Sequence, residues 1–230
     1  KILTRFQENK TFICAFLVAC FTGMRTGEVC ALTWDDIDFE NRIIKINKTV
    51  YCKTKDNKGR WFFGTTKTDS SVREVYICET LLKVLKIYHH YQSNNRKKYK
   101  TKYYDYNQEE VKNKYGKVVE NRIIELKYKS KQKEKVNLVF VKDNGRYIGT
   151  DLIRYPYRII HHELGINNCR FYDLRGSFAT KTLRSGVEIK DVAEVLGHSR
   201  VETTENYYVS TTKESKKYVS NVFEKQINKK

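Results

Sequence analysis

Four short islands in the 230-residue sequence carry side chains that can handle a phosphate. The first is TGMRTGE, where the backbone turns at Gly23 and Gly27 and can aim Arg25 into a cleft, with Glu28 as the carboxylate that orients it. Taken alone, the same pair reads more readily as a surface arginine in a helical ion pair. The second, TTKTDSSVR, sets Lys67 in a loop or strand edge, where one flexible ammonium reaches a phosphate or a leaving oxygen. In the third, FYDLRGSFAT, Tyr172 and Arg175 stand three residues apart and share a face at the start of a helix. The fourth, LGHSRVETTENYYVS, places His198 directly after Gly197, a helix-ending residue, and puts Tyr207 and Tyr208 nine and ten positions further on. A tyrosine can fill a core, stack on a base or attack as a nucleophile. The spacing leaves these three open.

The elements around the islands follow from apolar periodicity. Thr11–Phe21 is uniformly apolar and ends beside Gly23, which predicts a buried helix. A short helix follows in RTGEVCAL, then β-branched runs at Ile43–Ile46, TVYC and REVYI, with a loop around KDNKGR. These predict one small antiparallel sheet between Ile43 and Ile77. Leu81, Leu82, Leu85 and Tyr88 fall on one face of a helix over Thr80–Tyr91. From Ser93 to Lys135 the composition turns to Lys, Tyr, Asn and Glu with no clear period, an insertion without a domain of its own. VNLVFV then predicts a strand, TDLIRYPYRIIHHELGI a helix with Pro156 as a first-turn or kink residue, and everything beyond Tyr172 is helical. The class is mainly α with a small antiparallel β-sheet.

Composition narrows the partner. A formal charge of +18 favours nucleic-acid phosphate. Six scattered cysteines without a C-x-x-C pair predict free thiols, and neither their spacing nor that of the histidines suggests zinc. The most apolar run, FICAFLVACF, is too short to span a bilayer, and no signal-peptide pattern opens the chain, so a soluble cytoplasmic protein is expected.

In order, T-G-x-R-x-x-E, a hairpin lysine, x-D-L-R-x-S/T-F-A-T and L-G-H-S…T-T…Y resemble the catalytic domain of the tyrosine recombinases, or phage-type integrases, from Thr11 to Tyr208. The resemblance implies a DNA breaking-and-rejoining fold that needs no metal or other cofactor and works through a 3′-phosphotyrosyl link. It implies that Arg25 and Arg175 fork onto phosphate oxygens, that Lys67 is the general acid, that His198 donates to the phosphate, and that Glu28 and Asp173 support them. Tyr208 is the favoured nucleophile, because TENYYVS resembles the family pattern T-x-x-x-Y-x-H, and Tyr207 is the alternative. Tyr172 and Gly176 depart from the family, which commonly has His at each. A phenol titrates near ~10 against ~6.5 for imidazole, so Tyr172 is a poor base that can still hold a hydrogen bond.

Integration and excision of a mobile element, transposon or phage, is the implied task in a bacterial cytoplasm, on the nucleoid. Double-stranded DNA is the expected partner, with an excisionase or host factor possible in such systems, and upstream DNA-binding domains are expected outside this chain. Val219, Val222, Phe223 and Ile227 lie on one face of a helix in the 211–230 tail. That helix packs on its own domain or passes to a neighbouring protomer in a dimer or tetramer on DNA. The rivals are a type IB topoisomerase-like enzyme and a non-catalytic basic DNA-binding protein.

Overall fold

The computed structural model describes residues 1–53, 60–65, 72–126, 135–198, 200–202 and 204. After a single turn, α1 (Ile2–Arg5), the chain enters α2 (Lys10–Thr22), the predicted buried helix. Asn9 caps it by accepting from the amide of Phe12 at 3.1 Å, and Gly23 ends it in the left-handed region at φ +65°. Thr11, Phe12, Cys14, Ala15, Val18, Ala19 and Thr22 are all buried, while Ile13, Leu17 and Cys20 are partly buried and Phe21 is exposed, so the helix is apolar even on its open face and serves as the core's axis. The short α3 (Thr26–Ala31) follows, and the chain then turns through Trp34–Asp36 into the strands.

Two sheets form where one was expected. The first joins β1 (Ile37–Asp38), β2 (Ile43–Ile46) and β5 (Arg73–Tyr76), all antiparallel in the order β1-β2-β5. The second joins β3 (Lys48–Lys53) and β4 (Arg60–Thr65) to β7 (Val118–Leu126) and β6 (Asp105–Lys112), in the order β3-β4-β7-β6. TVYC therefore pairs with WFFGT in a sheet separate from that of Ile43–Ile46 and REVY. The described part of the 93–135 insertion, chiefly 93–126, is more ordered than its composition suggested. It contains the last turns of α4 (Glu79–Tyr99), which runs past Tyr91, and the β6–β7 hairpin. Most hairpin side chains are partly or fully exposed, so it shows no alternation of apolar and polar residues to read.

The predicted strand at 136–141 makes only isolated bridges, Thr33 with Leu138 and Val141 with Tyr147, although Leu138, Val139, Phe140 and Val141 are all buried. Three helices follow, α5 (Asp151–His162), α6 (Asp173–Arg184) and α7 (Ile189–Leu196), and Val201, Glu202 and Thr204 beyond them are also helical. Pro156 is the sixth residue of α5, beyond the first turn, and is buried. Most of the core is one cluster around α2, and a smaller one gathers Ala179, Val192 and Leu196 between α6 and α7. All six cysteines are free. No helix among the described residues is long and apolar enough to cross a membrane. The 211–230 tail lies outside the described residues.

Candidate active site

α7 closes at Gly197, whose φ of +69° only glycine adopts without strain. The last carbonyls of a helix have no intrahelical donors and carry partial negative charge. Three arginines from three other segments take three successive carbonyls here. Arg73 Nε donates to the Val195 carbonyl at 2.7 Å, Arg175 Nη2 to Leu196 at 2.7 Å and Arg25 Nη2 to Gly197 at 3.2 Å.

One carboxylate ties two of these guanidiniums together. Glu28 Oε1 accepts from Arg25 Nη1 at 2.8 Å and Arg73 Nη1 at 3.1 Å, while Oε2 accepts from Arg73 Nη2 at 2.9 Å and the Arg25 amide at 2.8 Å. Burial pushes the Glu28 pKa up. The hydrogen bonds and charge of Arg73, with the Arg25 bonds, outweigh it and hold the group below its ordinary value.

Arg175 is 1% exposed, and its Nη1 donates to the Gly23 carbonyl at 2.9 Å while Nε is buried with no hydrogen-bond partner. Burial, and then the neighbouring charge of Arg25, lower its pKa to about 10, which leaves it a cation at neutral pH. Gly23, at the edge of the cluster, has no room for a side chain. A Cβ on Gly23 would stand 2.7 Å from Leu196 Cδ2 and 2.8 Å from Phe178 Cδ1.

His198 follows the helix end. Its amide donates to the Ala193 carbonyl at 2.9 Å, and its Nδ1 lies 2.7 Å from the hydroxyl of the fully buried Thr204. Burial, and then the charges of Arg175, Arg25 and Arg73, bring its pKa down to about 4 from 6.5. The imidazole is therefore neutral at physiological pH, a hydrogen-bonding group rather than a fourth cation.

Of the residues expected from the sequence, Arg25, Glu28, Arg175 and His198 come together. Tyr172 ends the turn before α6, 46% exposed and close enough to Arg175 to influence its charge. Asp173 faces away from the cluster. It accepts from the Arg170 amide at 2.7 Å and from Arg170 Nη2 at 3.1 Å, which holds the start of α6. Lys67, Tyr207 and Tyr208 lie outside the described residues.

Arg73 is the residue that sequence reasoning missed. Its signal was present in REVY, where Arg73 and Val75 take the buried positions of the alternation and Glu74 and Tyr76 the exposed ones. A charged residue at an inward strand position needs a partner. Three guanidiniums around one carboxylate leave net positive charge in a largely dry site, with Arg25 the most open at 36% side-chain exposure. Such a site suits an oxyanion and can stabilise charge that develops on phosphorus-bound oxygens.

Residues 3–214 match the family model described as the phage integrase family. A tyrosine recombinase XerC-like protein of Caldanaerobacter subterraneus subsp. tengcongensis is 32% identical over 198 residues, which are 84% of this chain and 44% of that protein. The ICEBs1 integrase of Bacillus subtilis is 26% identical over 202 residues, 88% of this chain and 45% of that one. Among solved structures, the Tn1549 transposon integrase in complex with transposon right-end DNA has a similar fold, with a TM-score of 0.66 at 20% identity over 96% of this chain and 62% of that one. The XerA recombinase gives 0.60 at 19% identity over 96% and 61%. The chain thus spans less than half the length of these two sequence relatives.

Proposed function

The chain belongs to the phage integrase family, and on that footing we propose that it is the catalytic part of a site-specific recombinase that integrates and excises a mobile element by cutting and rejoining DNA. The observation that carries this reading is the cluster at the end of α7, where Arg25, Arg73 and Arg175 surround Glu28 beside a neutral His198. A phosphodiester brings the anion that this cluster lacks.

In the proposed reaction the Tyr208 hydroxyl oxygen attacks phosphorus in line and its proton leaves to solvent. The bond from phosphorus to the 5′ oxygen breaks, and the phosphate stays on the 3′ carbon as a phosphotyrosyl ester. Lys67 gives the departing 5′ oxygen its proton. A 5′-hydroxyl from the partner duplex then attacks the same phosphorus and releases the tyrosine. Arg25 and Arg175 stabilise the charge on the non-bridging oxygens, and His198 adds a hydrogen bond. Tyr172 stands at the rim, where its hydroxyl can hold a hydrogen bond without serving as base.

Double-stranded DNA is the proposed substrate, held largely through phosphates by a chain of charge +18. Assembly on paired sites through the 211–230 tail, an excisionase or host factor as accessory, and action on a bacterial nucleoid in the cytoplasm complete the proposal. A nicked suicide duplex, built on a site selected by binding from a randomised pool, tests it. A detergent-resistant adduct is expected, with the nucleotide on the Tyr208 peptide. Tyr208→Phe should abolish it and Tyr207→Phe should not. The reverse pattern makes Tyr207 the nucleophile, whereas no adduct on any bound duplex leaves a basic DNA-binding protein.

A further inference from the structure

We propose that Arg73 is a positioning residue, which fixes the direction in which Arg25 meets the phosphate by holding Glu28 and the end of α7 at the same time. The inference rests on the recombinase reading for its substrate but on geometry for its mechanism.

Arg73 spends its fork on both oxygens of Glu28, at 3.1 and 2.9 Å, and its Nε on the Val195 carbonyl at 2.7 Å. It is 9% exposed, so these bonds are made in a largely dry setting. Glu28 in turn grips Arg25 through side chain and amide, at 2.8 Å each. Arg25 itself is the more open of the two ion-pair partners of Glu28, with 36% side-chain exposure against 5% for Arg73. A long arginine side chain with that freedom visits several rotamers unless its carboxylate partner is fixed.

Gly197 supplies a second, independent observation. A Cβ there would lie 3.0 Å from Arg73 Cδ and 3.1 Å from its Nη1, so the glycine after α7 makes room for this guanidinium as well as closing the helix. Arg73 also packs β5 against α7, and so joins the edge strand of the three-stranded sheet to the helix end that carries His198.

Arg73→Lys keeps the charge and loses the fork. On the nicked duplex, cleavage should fall by ~10–100-fold while affinity for the same duplex stays within about 3-fold. A purely structural role would not move the pH profile, and here it should move. The charges around Glu28 are Arg25 on its own segment, Arg73 on β5 and Arg175 on α6, with His198 beside them. With Arg73 weakened the Glu28 carboxyl protonates more readily and lets go of Arg25, so the acid limb of the profile should move to higher pH than in the parent. In a Glu28→Gln background, adding Arg73→Lys should cost no more than about 2–3-fold, because the path between them is already cut.

Arg73→Gln, which loses both the charge and the fork, should move cleavage in the same direction and serves if Arg73→Lys folds poorly. Unchanged cleavage and pH profile in Arg73→Lys, with an active parent protein, overturn the inference. An inactive parent defeats the recombinase reading instead. The role of Arg73 is then read without DNA, from the Arg25 Nε–H resonance and the Glu28 carboxyl titration. Movement of both in Arg73→Lys supports the inference, and stillness of both overturns it.

Discussion

Glu28 and Glu120 are the same chemical device placed in two different surroundings. Each is a nearly buried carboxylate, 3% and 8% exposed, gripped by cations. Glu28 is held by Arg73, whose side chain is 5% exposed, whereas Glu120 is held by Lys53, whose side chain is 51% exposed and lies 2.6 Å away. Around Glu120 the Tyr51 hydroxyl makes a second close bond, and Lys53 and Arg122 lie over the Phe62 ring at 5.2 and 5.6 Å. Lys53 and then Tyr51, through hydrogen bonds, hold the Glu120 pKa below its ordinary value. Burial, and then Glu120, push Tyr51 up to about 12. The Glu120 network joins β3 and β7 across the intervening β4 of one sheet, while the Glu28 network joins α3, β5 and α7. A solvated network can trade its partners for water, and a dry one that crosses the domain cannot.

The largest effect should come from the most buried cation. Arg175→Lys replaces two carbonyl bonds, at 2.9 and 2.7 Å, and a planar fork with a single ammonium. Cleavage of the nicked duplex should fall by ~100–1,000-fold with DNA affinity little changed. Arg122→Lys, the partly exposed counterpart over Phe62, should leave cleavage near the parent rate. Equal losses from the two substitutions would erase the contrast.

The dry region was also the more legible one. Arg25, Glu28, Arg175 and His198 sit in motifs whose glycines and spacing carry information, and α2 announced itself by unbroken apolarity. Arg73 was hidden by the abundance of basic residues, since one more arginine in a chain with 45 lysines and arginines stands out only against a strand alternation. Asp173 was read as part of the cluster because sequence adjacency to Arg175 says nothing about direction, and its carboxylate turns back to Arg170. The second sheet was illegible for the opposite reason. β6 and β7 bury little, so their residues answer to cross-strand pairing, Glu109 with Arg122 for example, which no single stretch of sequence displays.

Stability should separate the two carboxylates by a smaller margin. Glu28→Gln leaves the Arg73 charge buried with a neutral partner, at a cost of about 3 kcal/mol and a Tm lower by ~6–12 °C. Glu120→Gln keeps the Tyr51 bond available and leaves Lys53 free to hydrate, so its cost should stay below about 1 kcal/mol. Thermal unfolding of both at neutral pH measures the difference. A Glu120→Gln loss as large as that of Glu28→Gln would show that the second sheet is as dry in effect as the site.

The smallest effect is a pH dependence that belongs to one region only. His198 is held at about 4 in the folded chain against an ordinary 6.5. Between those values the unfolded chain binds a proton that the folded site refuses, so folding is favoured above pH 6.5 and loses ground as the pH falls towards 4. Glu28 and Glu120 are depressed carboxylates with the same sign, but each acts only below its ordinary 4.5. The window from 6.5 to 4.5 therefore singles out His198. With partial solvent screening, the parent Tm should drop by about 2–4 °C across that window beyond the drop shown by His198→Gln. Glu120→Gln should keep the full drop, since that network contains no histidine. An anion in the cluster offsets the three guanidiniums that repel the proton, so adding the nicked duplex should flatten the parent curve and leave the His198→Gln curve with its shape unchanged. If the duplex flattens both equally, the proton is being refused somewhere other than beside the arginines.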